Sequence, residues 1–236
     1  VCDRRRVIHI ERLWKFEFHK DMVGRILSIG VPSGIENGMF HIGKLLVQGI
    51  IASFGTAQIA ANAIGSNICN LENIPGSAVG LAAVAIVGQC IGANEPAQAK
   101  YYSKKLLAIA FLSYAVTIPF FFATLDWMIG LYNVSAEAAE FSAVLVGSHV
   151  IMATLIWPLA FTVPNFLRAA GDAKYTMFVS LASMWIFRVG FSKLLGAGLG
   201  WGVVGVWIAM YIDWACRGVF FVHRFHRGKW LEKRII

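Results

Sequence analysis

Long apolar stretches, separated by short polar segments, dominate this sequence. A stretch of about 20 apolar residues is long enough to cross the hydrocarbon core of a bilayer as an α-helix. Charged residues make up only 14% of the 236 residues and AVILMFWYC residues 58%. A soluble globule of this length could not bury that much apolar surface, so the sequence predicts an all-α membrane protein, a bundle of six transmembrane helices. The predicted spans are about 26–54, 58–92, 100–123, 137–165, 175–195 and 199–223.

The basic residues alternate between the predicted loops. Of the 21 Lys and Arg residues, 18 lie in the N-terminal segment, in the turns after spans two and four, or at the end of span six and in the tail. The loops around 55–57 and 124–136 contain none. Because cytoplasmic loops of membrane proteins accumulate Lys and Arg, this asymmetry predicts a multi-pass protein of the cell membrane with both termini in the cytoplasm. It also accounts for the net charge of +8 without nucleic-acid binding.

The two ends of the sequence are polar and basic. Residues 1–25 interleave basic and apolar side chains, which predicts a cytoplasmic amphipathic linker on the membrane surface. Residues 26–223 form the predicted bundle, and residues 224–236 a basic cytoplasmic tail. Since the sequence opens on Val1 and a charged arm, we expect it to be part of a longer chain. The four cysteines are widely spaced, so we predict neither a disulfide nor a metal site.

Span one carries a stripe of polar side chains at membrane depth. Asn37, His41, Lys44 and Gln48 follow one another at helical spacing and share one face. Glu36 lies about 100° away, but a kink in the Pro- and Gly-rich start of the span could rotate it into line. Ionisable groups inside a membrane are expensive and usually functional, so Glu36, His41 and Lys44 are predicted to couple transport to an ion. The alternative is a neutralising pair of Lys44 with Glu36 or with Glu72.

Span two carries a matching stripe of Asn62, Ser66, Asn70 and Asn73, with Glu72 beside it. Two polar stripes on adjacent helices predict a shared hydrated cavity. The alternative is that the amides hydrogen-bond between helices as packing contacts. The predicted cavity residues are Asn37, Gln48, Asn70, Asn73 and Trp157.

Other polar and aromatic residues in the spans support narrower predictions. Trp157 directly precedes a proline in a span with two prolines, and irregular backbone at membrane depth requires protein or a cavity beside it.

Asp213 and Arg217 are four residues apart and can pair on one helix face. Arg188 needs a partner that the sequence does not identify, and a hydrogen-bonded packing role is favoured for His149.

The sequence contains no motif of an enzyme. We find no P-loop, no HExxH, no GxSxG and no Gly-rich dinucleotide loop. The sequence therefore predicts a protein that is not an enzyme, binds no cofactor and does not use ATP directly.

Several segments together resemble the multidrug and toxic compound extrusion (MATE) transporters. They are VGQCIGANEPAQAKYYSKK at 87–105, NFLRAAGDAKYT at 165–176, GVPSGIENG at 30–38, GVVGVWIAMYIDWACRG at 202–218 and RFHRGKW at 224–230. The resemblance covers essentially the whole chain in order. It implies one of two related six-helix bundles, namely helices seven to twelve. The partner would be an N-terminal six-helix bundle, in the same chain or in a second subunit.

The resemblance also implies an activity: export of small hydrophobic, often cationic molecules in exchange for Na⁺ or H⁺. Arg168, Gly171 and Asp172 are similar to the LRGxGD-type cytoplasmic turn of the family, which implies a structural role. The coupling carboxylates of one branch are replaced here by Phe40 and Trp157, so Glu36 is the best local substitute.

Two other functions are compatible with the sequence. A flippase for a lipid-linked precursor would have a basic cavity, which Lys44 and Arg188 could supply. A non-transport membrane scaffold would show no substrate-dependent flux.

Overall fold

The computed structural model describes residues 20–231, and all regular secondary structure in that range is helical. Residues 1–19 of the predicted linker and the last five residues of the predicted tail lie outside the described residues, and residues 20–25 form the first turns of α1. The α-helices are α1 (Lys20–Ala52), α2 (Thr56–Glu72), α3 (Ile74–Gly92), α4 (Pro96–Gly130), α5 (Ala136–Trp157), α6 (Val163–Ala169), α7 (Ala173–Ser183) and α8 (Gly202–His226). Three π-helical segments, Pro158–Thr162, Met184–Gly190 and Ser192–Gly198, continue α5 and α7.

Five helical stretches within the described residues are long and apolar enough to cross a membrane. They are Ile74–Gly92, Pro96–Gly130, Ala136–Ala169, Ala173–Gly198 and Gly202–His226. These stretches fall within or largely coincide with predicted spans two to six, and α1 coincides with span one. α1 has 33 residues but is not one of these five stretches, because its polar side chains lower its mean hydropathy. The chain is therefore a multi-pass membrane protein with a helical bundle.

The helix predicted over 58–92 is divided into two at Asn73. Pro75, the second residue of α3, has no backbone N–H to donate to the carbonyl of Leu71 four residues earlier. The hydroxyl of Tyr114 on α4 donates a hydrogen bond of 2.7 Å to Oδ1 of Asn73 and fixes the break from outside. Gly76 follows, and the rings of Tyr114 and Trp157 pack directly against it.

The prolines of the predicted fourth span produce the irregular backbone that the sequence indicates. The π-helical segment Pro158–Thr162 begins immediately after Trp157. Such segments carry one extra residue per turn and occur frequently at functional sites. The two further π-helical segments, after α7, contain no proline, and the sequence does not predict them.

Small residues let α8 approach the preceding segment closely. An ideal Cβ on Gly205 would lie 2.8 Å from the carbonyl carbon and oxygen of Leu195, so only glycine fits there. At the other end of α8, Trp230 is fully buried and stacks on Phe225 with 5.2 Å between ring centroids. Its indole Nε1–H donates to the carbonyl of Phe225 at 3.0 Å, which holds the start of the tail against the bundle.

Candidate functional site

A cavity of about 480 Å³ lies where α1, α2, α5 and α8 face one another. Amide, hydroxyl and basic side chains line one part of its wall and aromatic rings another. The lining residues are Phe40, Lys44, Val47, Gln48, Ile51, Asn62, Ser66, Cys69, Asn70, Asn73, Ser77, His149, Trp157, Phe161, Arg188, Val206, Trp207, Met210 and Trp214. Lys44 and Gln48 of the first polar stripe therefore meet all four residues of the second stripe in one cavity.

Four of the five predicted cavity residues belong to this wall: Gln48, Asn70, Asn73 and Trp157. Asn37 does not. It lies on the part of α1 that extends past the cavity and is exposed on the surface of the described chain. The cavity does not extend that far along α1.

The three predicted ion-coupling residues are separated in the structure. Lys44 lines the cavity, whereas His41 is exposed outside it. Glu36 is buried against Arg168, whose Nη2 donates to Oε1 at 2.6 Å. The suggested pairing of Lys44 with a carboxylate is therefore not observed for Glu36. The role of these residues in ion coupling stays a prediction.

Asn62 connects three helices at the edge of the cavity. Its Nδ2 donates to Oε1 of Gln48 on α1 at 3.0 Å, and its Oδ1 accepts from Nε1 of Trp207 on α8 at 3.0 Å. The amide thus makes the interhelical packing contacts that the sequence offered as an alternative, and it also lines the cavity. At Asn62 the second stripe therefore both packs helices together and lines the cavity.

A buried pair of ionisable side chains lies beside the cavity. Nδ1 of His149 is 2.9 Å from Oε2 of Glu72, and the two side chains are 3% and 0% exposed. His149 belongs to the cavity wall and Glu72 lies behind it. Among the described residues, Oε1 of Glu72 has no hydrogen-bond partner. The rings of Trp207 and Trp214 contact the imidazole edge to face, at 5.8 and 5.3 Å between centroids, and hold it in place.

Sequence reasoning placed Glu72 beside the second stripe but did not connect it to His149. The two residues are 77 positions apart, and periodicity gives no information about which helices are neighbours. The lone histidine on an apolar span was the available signal, because a buried imidazole requires a polar partner.

Cys69 adds a thiol to this pair, and donor atoms of Cys69, Glu72 and His149 all lie within 4.8 Å of one another. These are atom types that bind zinc. However, the facing Nδ1 and Oε2 atoms already share a hydrogen bond with each other. We therefore describe the group as a hydrogen-bonded acid–imidazole pair and assign no metal to it.

Basic side chains surround the ring of Phe40 at another part of the cavity. Nζ of Lys44 and Cζ of Arg188 and Arg217 lie 5.4, 5.5 and 5.5 Å from its centroid. Arg217 pairs with Asp213 as the four-residue spacing predicts. The same carboxylate is 4.0 Å from Nη1 of Arg188, which identifies the partner that the sequence left open.

Aromatic rings form the apolar part of the wall. Trp157 stacks on Phe161 with 5.0 Å between centroids and an interplanar angle of 25°. Phe161 in turn meets Trp214 edge to face at 5.5 Å. Cζ of Arg217 lies 5.2 Å from the Phe161 ring, so this aromatic wall is continuous with the basic group around Phe40. A flat apolar molecule could pack against these rings while a polar group reaches the charges.

The three predicted structural residues lie at the end of α6 and in the turn before α7. Gly171 has a φ of 86°, and its N–H and that of Asp172 bond back to the carbonyls of Arg168 and Leu167 at 2.9 and 2.8 Å. This is the C-terminal cap that requires glycine. Asp172 stands at the start of α7, but its side chain makes no capping hydrogen bond to α7. Instead, its Oδ2 accepts from Nε of Arg224 on α8 at 2.7 Å.

The sequence can also be compared with known proteins. A family model described as MatE matches residues 32–194. The chain belongs to the MatE family. It is 27% identical over 220 residues to the uncharacterized transporter YisQ of Bacillus subtilis, covering 92% of this chain and 48% of that protein. It is 25% identical over 213 residues to the probable multidrug resistance protein NorM of Thermotoga maritima, covering 89% and 45%.

Solved structures show the same fold. A MATE protein in a bent conformation superposes with a TM-score of 0.83 at 16% identity, covering 95% of this chain and 50% of the other. The chain spans about half the length of the MatE relatives that it matches. Its relatives in this family include proteins named as probable multidrug resistance proteins.

Proposed function

We propose that this chain is one half of a secondary active multidrug efflux antiporter, which exports hydrophobic compounds in exchange for Na⁺ or H⁺. The observation that supports this most is a polar and aromatic cavity inside a MatE-type bundle. An N-terminal bundle, in the same chain or in a second subunit, would form the other wall. Rocking of the two bundles would open the cavity to either side of the cell membrane, with both termini in the cytoplasm.

The Glu72–His149 pair is the best candidate for the ion-coupling site. A carboxylate at membrane depth is expensive unless it binds a proton or a cation, and Oε1 of Glu72 has no partner among the described residues. His149 lies between this carboxylate and the cavity, so an ion arriving through the cavity meets the imidazole first. The pair joins α2 to α5, and a change in its charge would alter the contact between two helices that line the cavity.

Glu36 is less suited to this task than the sequence suggests. Its carboxylate forms an ion pair with Arg168 near the α6–α7 turn, outside the cavity wall. An arginine already satisfies this charge, and no exchange of ions is needed there.

The test compares Glu72→Gln with Glu36→Gln in the intact protein, reconstituted into vesicles. The measurement is substrate-dependent flux of H⁺ and, separately, of Na⁺. We expect Glu72→Gln to abolish the flux and Glu36→Gln to retain it, while both proteins elute as folded particles in detergent. Loss of flux in Glu36→Gln with normal flux in Glu72→Gln would instead restore the sequence-based assignment. Normal flux in both variants would remove both carboxylates from the coupling mechanism.

A second candidate function is flipping of a lipid-linked precursor, and the basic residues of the cavity favour it. Lys44 and Arg188 could hold the phosphate groups of such a lipid. Movement of a labelled lipid phosphate between leaflets, without flux of soluble compounds, would support this function over drug export.

A further inference from the structure

The charged side chains that this chain contributes to the cavity wall, among the described residues, are of one sign. Lys44 and Arg188 line it, and in the part of the chain that the structure describes no Asp or Glu does. Arg217 lies just behind, against the same Phe40 ring. Among residues 20–231, Asp213 is the one carboxylate that pairs with any of these three cations, and it lies closer to Arg217 than to Arg188.

The other buried carboxylates of the described chain are engaged elsewhere. Glu36 pairs with Arg168, Glu72 with His149, and Asp172 with Arg224. Each of these pairs involves residues outside the basic group. Within the described part of the chain, Arg188 therefore shares one carboxylate with Arg217, and Lys44 has no carboxylate partner.

An unneutralised cation at membrane depth costs several kcal/mol, so a group of this composition favours a bound anion. Arg188 is only 11% exposed and cannot reach bulk water freely. An anionic group between Lys44 and Arg188 would neutralise both and accept hydrogen bonds from the guanidinium in its planar geometry. The cavity volume of about 480 Å³ is that of a site for a small organic molecule.

We propose that this cavity binds amphipathic organic anions: an aromatic or apolar body packs on Trp157 and Phe161, and a carboxylate, sulfonate or phosphate group is held by Lys44 and Arg188. This inference rests on the proposed transport function and narrows its substrate class. The family resemblance predicts substrates that are often cationic, whereas the charges of this cavity select the opposite sign.

The direct test is equilibrium binding of two probes that share a bicyclic ring and differ in charge. Naphthalenesulfonate and naphthylmethylammonium are offered to the purified intact protein in detergent. We expect the sulfonate to bind more tightly than the ammonium compound. Lys44→Gln and Arg188→Gln should each weaken sulfonate binding about tenfold to a hundredfold, the effect of losing a charged hydrogen bond. Lys44→Arg keeps the charge and should retain binding.

Lys100→Gln is the matched control, since it removes one positive charge from an exposed site outside the cavity. It should leave sulfonate binding unchanged. Tighter binding of the ammonium probe to the wild type would overturn the inference. So would unchanged sulfonate binding in both Lys44→Gln and Arg188→Gln. If Arg188→Gln fails to fold, Lys44→Gln still decides the question, because Lys44 is exposed to the cavity.

Two further measurements assign the source of the anion and separate this inference from the transport proposal. Phosphatidate in vesicles that competes with the sulfonate probe would identify a lipid phosphate as the ligand; absence of competition would identify a soluble anion. Either result supports the anion site. If the sulfonate binds but no compound is exported from vesicles, the anion site stands and the antiport proposal is refuted. If the ammonium probe is exported in exchange for H⁺ or Na⁺ and the sulfonate does not bind, antiport is supported and the anion site is refuted.

Discussion

Gly76, at the start of α3, allows two aromatic rings of the cavity region to pack against the helix backbone. An ideal Cβ at this position would lie 2.7 Å from Cζ3 of Trp157 and 2.7 Å from the hydroxyl oxygen of Tyr114. Contacts this short force neighbouring groups to move, and overpacking of this kind costs about 1–3 kcal/mol. Gly88 on the same helix has no heavy atom of the described residues within 4 Å of its ideal Cβ. Gly88→Ala therefore carries no such cost.

Both substitutions replace a helical glycine by alanine, which by itself stabilises a helix by about 0.5–1 kcal/mol. Because this gain is common to the pair, their difference isolates the steric effect. We expect Gly76→Ala to be less stable than Gly88→Ala by about 1–3 kcal/mol. Thermal unfolding of the intact protein in detergent measures this difference. If Gly76→Ala unfolds at or above the temperature of Gly88→Ala, the close packing of Tyr114 and Trp157 on α3 is refuted.

Two other variants test contacts that hold the bundle together. Gly205→Ala should destabilise the protein by more than about 1 kcal/mol, since its Cβ would meet the backbone of Leu195. This backbone cannot rotate away as a side chain can. If the variant unfolds at the wild-type temperature, α8 can separate from this segment at little cost. Glu36→Gln should cost at most about 1 kcal/mol, because Gln keeps an oxygen that can accept from Arg168 and the Arg168 side chain is 27% exposed to water. A much larger loss in the same unfolding measurement would show that the charge of Glu36 is needed for stability.

Hydropathy in the sequence predicted long helices where the structure has them, and helical spacing placed part of the cavity wall. The apolar stretches correspond to helices because a bilayer requires long segments with satisfied backbone hydrogen bonds. The spacing of Lys44 and Gln48, and of Asn70 and Asn73, placed these side chains on faces that meet. Asp213 and Arg217 pair because a four-residue spacing determines their contact within one helix.

Contacts between distant segments could not be predicted in this way. Glu36 and Arg168 are 132 residues apart, and Glu72 and His149 are 77 apart. A single sequence gives the face of a helix on which a residue lies, but not the helix that this face meets. Asn37 shows a second limit, since the length of the cavity along α1 depends on neighbouring helices that periodicity does not describe.

The break between α2 and α3 has a mechanical consequence. A continuous helix resists bending because its backbone hydrogen bonds must stretch or break on the outer side of the bend. At Pro75 the bond to the carbonyl of Leu71 is already missing, so the break can act as a hinge at a lower cost in hydrogen bonds than a continuous helix. Side chains of both segments, Asn70 before the hinge and Ser77 after it, line the same cavity. A change in the angle between α2 and α3 would therefore change the shape of the cavity directly, with the Tyr114–Asn73 hydrogen bond as the side-chain contact that opposes it.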